Sequence, residues 1–449
     1  MLFPALVESH TSRHTVSELI TAGHWPGYFH GYPHKRAYRP LDGMRLLDAW
    51  KPASGGPLNI YVHIPFCTQR CSFCNLFLIP VNAEASQDFI GAYVNRLTDD
   101  IAFAATAVAP TAVTSVYFGG GTPSMLSLSL MESIFGALRT AFPTWQDAEP
   151  CVECGPETID KSYLQGLRSF GVERISIGVQ SLRPAALRHM ARRYTADDVE
   201  RIIADTQDLK MEINADLIYG LPETTTDDFL EDLLRLIELG VDNVSIYPLA
   251  VREKTRYQNL PSAHLRKYEM WRLADQVLAA RDFVRETYVR YRRKASKTTY
   301  RQQKLEFAGV PTLGLGSGAR SYAPRLDYAQ EYVVSGRASK GIIADYIGST
   351  PDTRTYVGFR FSDGEIARRA VILGLLAGGV NLPRLRADTS SEIWEEFSSA
   401  FDELQGNELI DSCGETVFLT TRGRQYSDIA VSRFESLEVL SSRSEFHVR

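Results

Sequence analysis

Between about residue 55 and residue 255, short apolar and β-branched runs alternate with longer amphipathic stretches. That alternation restricts the fold more than any other feature of the chain. The predicted strands are Asn59–Ile64 (NIYVHI), Ser115–Phe118, Cys151–Cys154, Arg174–Val179, Glu212–Ile218 and Asn243–Tyr247. Helical patterns such as Gln87–Thr106, Leu126–Ala141 and Thr226–Leu239 separate them. Strand and helix repeated in this way imply an α/β fold, a parallel sheet covered by helices. Six units suit an incomplete barrel as well as an open doubly wound sheet, and periodicity does not choose between them. In both architectures the chemistry belongs at the C-terminal ends of the strands. Several unusual residues fall there: a cysteine cluster, Gly119–Gly121, Glu153, Gln180 and Asp216.

Outside this stretch the pattern changes. Residues 1–55, rich in His, Tyr, Pro and Gly, read as an N-terminal arm, and 56–255 as the core. Residues 256–350 read as an extension of that core, with a helix around Ala263–Ala280, a strand at Glu286–Arg292 and a loop over Gly314–Tyr322. Residues 351–449 carry two helical patterns, a short hairpin and a final helix, a winged-helix-like order. A length of 449 residues fits two or three domains. Lys plus Arg (49) against Asp plus Glu (54) leaves a net charge of −5, which does not suggest a nucleic-acid or anionic-membrane partner. No run of 18 apolar residues and no signal-peptide pattern occurs, so a soluble cytoplasmic protein is expected.

Three of the six cysteines, Cys67, Cys71 and Cys74, fall within eight residues, spaced C-x3-C-x2-C just after the first predicted strand. Thiolates are soft ligands suited to iron–sulfur clusters, zinc or copper. Three of them on one loop can hold three irons of a 4Fe–4S cubane and leave the fourth iron open to a substrate or cofactor. Structural zinc would want a fourth ligand, and His63 is expected to point away from the loop. Cys151 and Cys154 read as small packing residues on a buried strand, and Cys413 is isolated.

The segments YVHIPFC (61–67), VYFGGGTPSML (116–126), ISIGVQSL (175–182), NADLIYGLP (214–222) and LGLGSGARSY (313–322) occur in the order found in one branch of the radical S-adenosylmethionine (SAM) enzymes. At these residues the chain resembles the branch typified by oxygen-independent coproporphyrinogen III oxidase. The resemblance implies a partial (β/α)6 barrel whose open iron chelates the amine and carboxylate of SAM. It also implies an electron donor such as flavodoxin or ferredoxin, a small-molecule substrate and a 5′-deoxyadenosyl radical. By the same resemblance Cys67, Cys71 and Cys74 are the cluster ligands, and Tyr61 has its hydroxyl near the sulfonium. Phe73 stacks on adenine, or merely shields the cluster. Gly119, Gly120 and Gly121 with Thr122 form the loop whose backbone meets the methionyl amine, since glycine lets backbone approach a ligand closely. Glu153, Gln180, Arg192 and Asp216 match polar positions contacting one or two SAM molecules. Arg320 borders the site. Tyr288–Lys294 interleaves aromatic and basic residues, and reads first as a solvated strand face, with a surface for an acidic substrate's carboxylates or for a nucleic acid as the alternatives.

Members of the branch decarboxylate a propionate, open a porphyrin ring, carry heme, or use a second SAM to add a methyl or methylene unit to an sp2 carbon. Two departures from the oxidase pattern favour the last group. Leu76 stands where a further cysteine is usual, and Ser245–Leu249 (SIYPL) lacks a histidine-containing pattern. Two-SAM methyl or methylene transfer, as in methylation or cyclopropanation, is therefore the expected reaction, with coproporphyrinogen oxidation, heme-ring cleavage and heme carriage as alternatives.

Overall fold

The computed structural model describes residues 14–23, 29–53, 55–110, 112–144, 148–250, 257, 264–296, 301–330 and 336–444. Chain contacts divide it into a first unit, Pro40–Ser262 with Leu273–Gly358, and a second, Met1–Arg39 with Ala263–Arg272 and Phe359–Arg449.

Six parallel strands organise the first unit: β1 (Pro57–Ile64), β2 (Ala112–Gly120), β3 (Glu149–Cys154), β4 (Arg174–Gln180), β5 (Glu212–Tyr219) and β6 (Asn243–Pro248). Between them run α1 (Gln87–Ala107), α2 (Leu128–Ala141), α3 (Lys161–Ser169), α4 (Ala196–Asp208) and α5 (Thr226–Glu238). Side chains start these helices where the sequence offers an acceptor. Ser127 and Asp160 accept from the first turns of α2 and α3, and Thr195 and Thr225 form capping boxes with Asp198 and Asp228.

The strands lie in sequential order, β1-β2-β3-β4-β5-β6. A doubly wound sheet reverses direction part-way, whereas sequential order means every crossover steps the same way. Right-handed crossovers then put all the helices on one face, as in a barrel. The six strands do not close on themselves. Beyond β6 lie β8 (Arg290–Arg293) and β7 (Phe283–Arg285); beyond β1 lie β9 (Thr312–Leu315), β10 (Arg320–Ala323) and β11 (Leu326–Gln330). This is the partial barrel. The predicted strand Glu286–Arg292 is instead a hairpin: Glu286 and Thr287 N–H both donate to the Arg290 carbonyl, turning the chain between β7 and β8.

Alternation along the strands sorts residues onto two faces. Ile60, Val62, Ile175, Ile177, Ile213, Leu217, Val244 and Ile246 are fully buried, as are the helix residues Leu97, Ile101, Ile134, Leu138, Leu164, Leu233 and Leu236. The inner face is polar. Asn59 pairs in register with Ser115, Ser176 with Asn214, and Asn214 with Asn243, and all are buried.

The second unit contains helices Asp363–Ala377 and Ser391–Gly406 and a three-stranded sheet in which Thr416–Leu419 pairs with both Ile410–Cys413 and Val380–Asn381.

Candidate active site

The cysteine loop leaves β1 and is closed at its base, where Phe66 and Cys67 pair with Ile79 and Pro80. Arg70 donates to the carbonyls of Leu76 (3.2 Å) and Leu78 (2.6 Å), and Ser72 donates to His189 and Met190 carbonyls. Gln69 donates to the Ala191 carbonyl. Cys67 and Cys71 are buried, Cys74 is half-buried, and all three thiols are free. Burial pushes the Cys71 thiol up to about 11, against the pull of the Arg192 charge, and raises Cys74 as well. Thiols held neutral by burial surrender their protons when a metal binds them. The Thr122 hydroxyl lies 2.9 Å from Cys67 Sγ. Among the described residues no three His, Cys, Asp or Glu donors converge on the position of one ion. A cubane makes a different demand, spreading its thiolates over separate irons, and three thiols on one fastened loop fit that demand with one iron left open.

Above the polar inner layer the sheet opens. Past the first residue of β1, Tyr61 is its only partly accessible residue; in β4 it is Gly178, and in the C-terminal halves of β3 and β5 it is Glu153 and Asp216. Gly178 is in register with Asp216, and Tyr61 with Tyr117. Glu153 accepts from the Tyr117 hydroxyl (2.8 Å) and the Gly120 N–H (3.2 Å). Burial pushes its carboxyl up to about 7; the Tyr117 hydrogen bond opposes this and the charge of Asp216 adds to it. Asp216 accepts from Asn214 Nδ2 at 2.8 Å; burial raises it too, with Arg290 the strongest influence in the other direction.

The glycine triplet joins β2 to the cysteine loop. Gly121 and Thr122 N–H donate to the Ile64 and Phe66 carbonyls at 2.8 and 2.7 Å. A Cβ at Gly121 would stand 2.3 Å from the Phe66 oxygen, and one at Gly120, where φ is +115°, 2.7 Å from the His63 ring. His63 does not turn away from the loop as its sequence position suggests. Its Nε2 lies 3.1 Å from the Phe77 carbonyl and its Nδ1 3.1 Å from the Tyr61 hydroxyl. A carbonyl only accepts, so Nε2 carries the hydrogen and Nδ1 accepts from Tyr61. Burial holds the imidazole down at about 4, hence neutral near pH 7.

Gln180 sits at a register shift with φ +62°, its amide folded over Gly178 and beside Arg192. Arg192 pairs with Glu157 at 3.6 Å and lies over the rings of Tyr194 (5.5 Å) and Phe73 (6.0 Å). The fold thus brings Phe73, Gln180 and Arg192 together beside the cysteines, and Tyr61, Gly119–Gly121, Glu153 and Asp216 together within the sheet. Arg320 stands on β10, over Tyr322, and its charge is felt at His63. Sequence reasoning passed over Tyr117 and Asn214 and placed His63 away from the loop. The first two lie two residues before Gly119 and Asp216 on the same strand face, a spacing that marks them.

Residues 61–237 match the family model of the Radical SAM superfamily. This is a radical SAM domain. Its cofactors are a 4Fe–4S cluster and SAM, which the cysteine loop and open inner face suit. The chain is similar to the heme chaperone HemW of Escherichia coli (31% identical over 222 residues; 49% of this chain, 58% of the relative). It is also similar to the oxygen-independent coproporphyrinogen III oxidase of Paracoccus denitrificans (30% over 223 residues; 49% of each). The chain thus spans about half the length of these two relatives. The Synechocystis protein of the latter name is 26% identical over 400 residues, 82% of each chain. The structure of the coproporphyrinogen III oxidase HemN from E. coli superposes with a TM-score of 0.78, at 22% identity, over 94% of this chain and 98% of that one.

These relatives overturn the expectation of methyl or methylene transfer by a methyltransferase or cyclopropanase. The two departures behind it lie in different surroundings. Leu76 is 51% exposed, and the fully buried Ser245 is occupied with Asn214 and Arg290 inside the sheet. Among the described residues no helix is long and apolar enough to cross a membrane.

Proposed function

We propose that the radical SAM domain of this chain carries out oxidative decarboxylation of a coproporphyrinogen-type tetrapyrrole. The observation that carries this reading is the reach of the oxidase likeness. In the Synechocystis oxidase it extends over 82% of this chain, well outside the radical SAM domain, whereas the Paracoccus oxidase matches 49% and the HemW proteins of E. coli and Synechocystis match 49% and 59%.

When bound, the cluster and SAM supply a 5′-deoxyadenosyl radical. Cys67, Cys71 and Cys74 hold the cluster. Arg192, already gripping Glu157, offers its guanidinium to the SAM carboxylate, and Phe73 offers its ring to adenine. The backbone at Gly119–Gly121 and Thr122 meets the methionyl amine; Glu153, Gln180 and Asp216 take the amine or ribose hydroxyls. Tyr61, its hydrogen committed to His63, presents its oxygen lone pairs to the positive sulfonium. Arg320 lies where a substrate carboxylate enters. In the substrate, a propionate β-carbon would give up a hydrogen atom to the radical so supplied. Loss of CO2 then leaves a vinyl group and one electron, which passes to a one-electron acceptor. A flavodoxin or ferredoxin supplies the electron that starts the cycle.

The test is anaerobic reconstitution of the full chain, followed by incubation with SAM, reductant and coproporphyrinogen III. The reading expects 5′-deoxyadenosine together with a product lighter by CO2 and two hydrogens. The HemW similarities favour a second reading, heme carriage. Stable heme binding with no decarboxylated product would choose it.

A further inference from the structure

Two carboxyl groups, Glu153 and Asp216, open onto the same inner face, and burial works against the charge of both. A compensating cation comes from outside the six repeated units. Arg290 lies on β8, in register with Ser245 of β6, which is itself in register with Asp216 of β5. Its neighbours Arg292 and Arg293 pair with Glu286 and with the Ile237 and Val241 carbonyls, but Arg290 is only 4% exposed and turned inward.

A guanidinium has donors only, and this fixes a direction along the buried side chains. Arg290 Nε donates to Ser245 Oγ at 3.3 Å, and Nη1 to Gln303 at 3.3 Å. Ser245 Oγ keeps its own hydrogen to donate, and meets Asn214 Oδ1 at 3.0 Å while also favouring the charged form of Asp216 directly. With its oxygen so engaged, Asn214 turns its amide hydrogens toward Ser176 and Asp216, both at 2.8 Å. Hydrogen bonds aligned head to tail polarise one another. The chain ends by offering a donor to Asp216, which suits a carboxylate and not a carboxylic acid. The charged groups acting on Asp216 are Glu153 on β3, Arg174 on β4 and Arg290 on β8.

We propose that Arg290 is a positioning residue that, through Ser245 and Asn214, keeps Asp216 an ionised acceptor facing bound SAM. This rests on the reading of the inner face as the SAM site. The experiment measures SAM affinity of the anaerobically reconstituted full chain from about pH 6 to 8.5. Arg290→Met weakens SAM about tenfold at neutral pH and moves the pH at which affinity falls upward by about one unit. Arg290→Lys restores most of the affinity. In an Asp216→Asn background, where only Glu153 still titrates, Arg290→Met costs less than about twofold more. A wild-type pH profile in Arg290→Met, or fully additive losses in the double variant, overturns the proposal. Should Arg290→Met fail to fold, Ser245→Ala cuts the same chain with the guanidinium in place and shifts the profile the same way; an unshifted profile overturns it equally. A wild-type protein that binds no SAM defeats the functional reading instead. The Arg290–Asp216 coupling is then read from thermal midpoints of the two single variants and the double, where additivity sinks it.

Discussion

Glu153 in the first unit and Asp428 in the second are both acids that burial pushes up to about 7, yet they are set in different surroundings. Asp428 is enclosed: the Tyr268 hydroxyl lies 3.2 and 3.3 Å from its two oxygens and the Ile429 N–H 3.1 Å from one. Glu365, in the same unit, is also buried and accepts from the Tyr32 hydroxyl at 2.6 Å. Glu153 has comparable partners in Tyr117 and Gly120 but remains partly accessible, facing a second carboxyl from another strand. A raised acid alone does not mark a site. Acids that converge from several strand ends onto an open face do.

The largest effect expected is at the cysteine loop. Cys71→Ala should bring 5′-deoxyadenosine formation down to background and lower bound iron, while the thermal midpoint of the cluster-free protein stays near that of the parent. Asp428→Asn should leave SAM cleavage intact. If it abolished cleavage, the contrast between the two units would fail.

Next come the acids themselves. The folded protein holds the Glu153 proton up to about 7, and the unfolded chain releases it near the ordinary 4.5. Between those values the folded state binds more protons, so this group's contribution to stability falls as pH rises through the window. Glu153→Gln should therefore raise the unfolding free energy at about pH 8 by up to ~3 kcal/mol and do nothing below 4.5. Asp428→Asn should behave likewise across its own window, from 3.8 to about 7. Denaturant titrations at several pH values measure both. The variants part company in SAM affinity, which only Glu153→Gln weakens.

A smaller difference separates two glycines with positive φ. Gly120 meets the His63 ring and Gly414 has open space. Gly414→Ala should cost about 1 kcal/mol and Gly120→Ala some 2–3 kcal/mol, by equilibrium unfolding. The smallest effect belongs to Leu76→Cys. Iron content and product should be unchanged, because that side chain is exposed; a new product would restore the significance of this position.

The parts legible in the sequence were those whose cause is local. Cysteine spacing is local, and so is the alternation of strand and helix. The order of the strands is not, because an apolar run does not say which run lies beside it. The inner polar layer also disguised the strands. Ser115–Phe118 continues in both directions as Ala112–Gly120, and Cys151–Cys154 begins two residues earlier at Glu149, since polar inward residues break an apolar run. His63 was misplaced, and Arg290 was read only as part of the Tyr288–Lys294 stretch, because the groups that give them meaning, Phe77 and Ser245, belong to other elements. The reaction was misjudged through Leu76, a position that the spacing of the motif makes conspicuous and the structure leaves in solvent.

The hairpin of β7 and β8 lies at one edge of the sheet, where β8 pairs antiparallel with β6, and the helix His264–Ala280 precedes it in the chain. The strands β1 to β6 each turn one set of residues to the outer helices and the alternate set to the interior. β8 is tied to its surroundings differently: Tyr291 donates to Asp275 at 2.8 Å, and Arg293 to the Ile237 and Val241 carbonyls. Exchanging its inward residue, Arg290, would retune the charge beneath the ligand while those contacts stay in place, which makes a position outside the six repeated units a control on the chemistry within them.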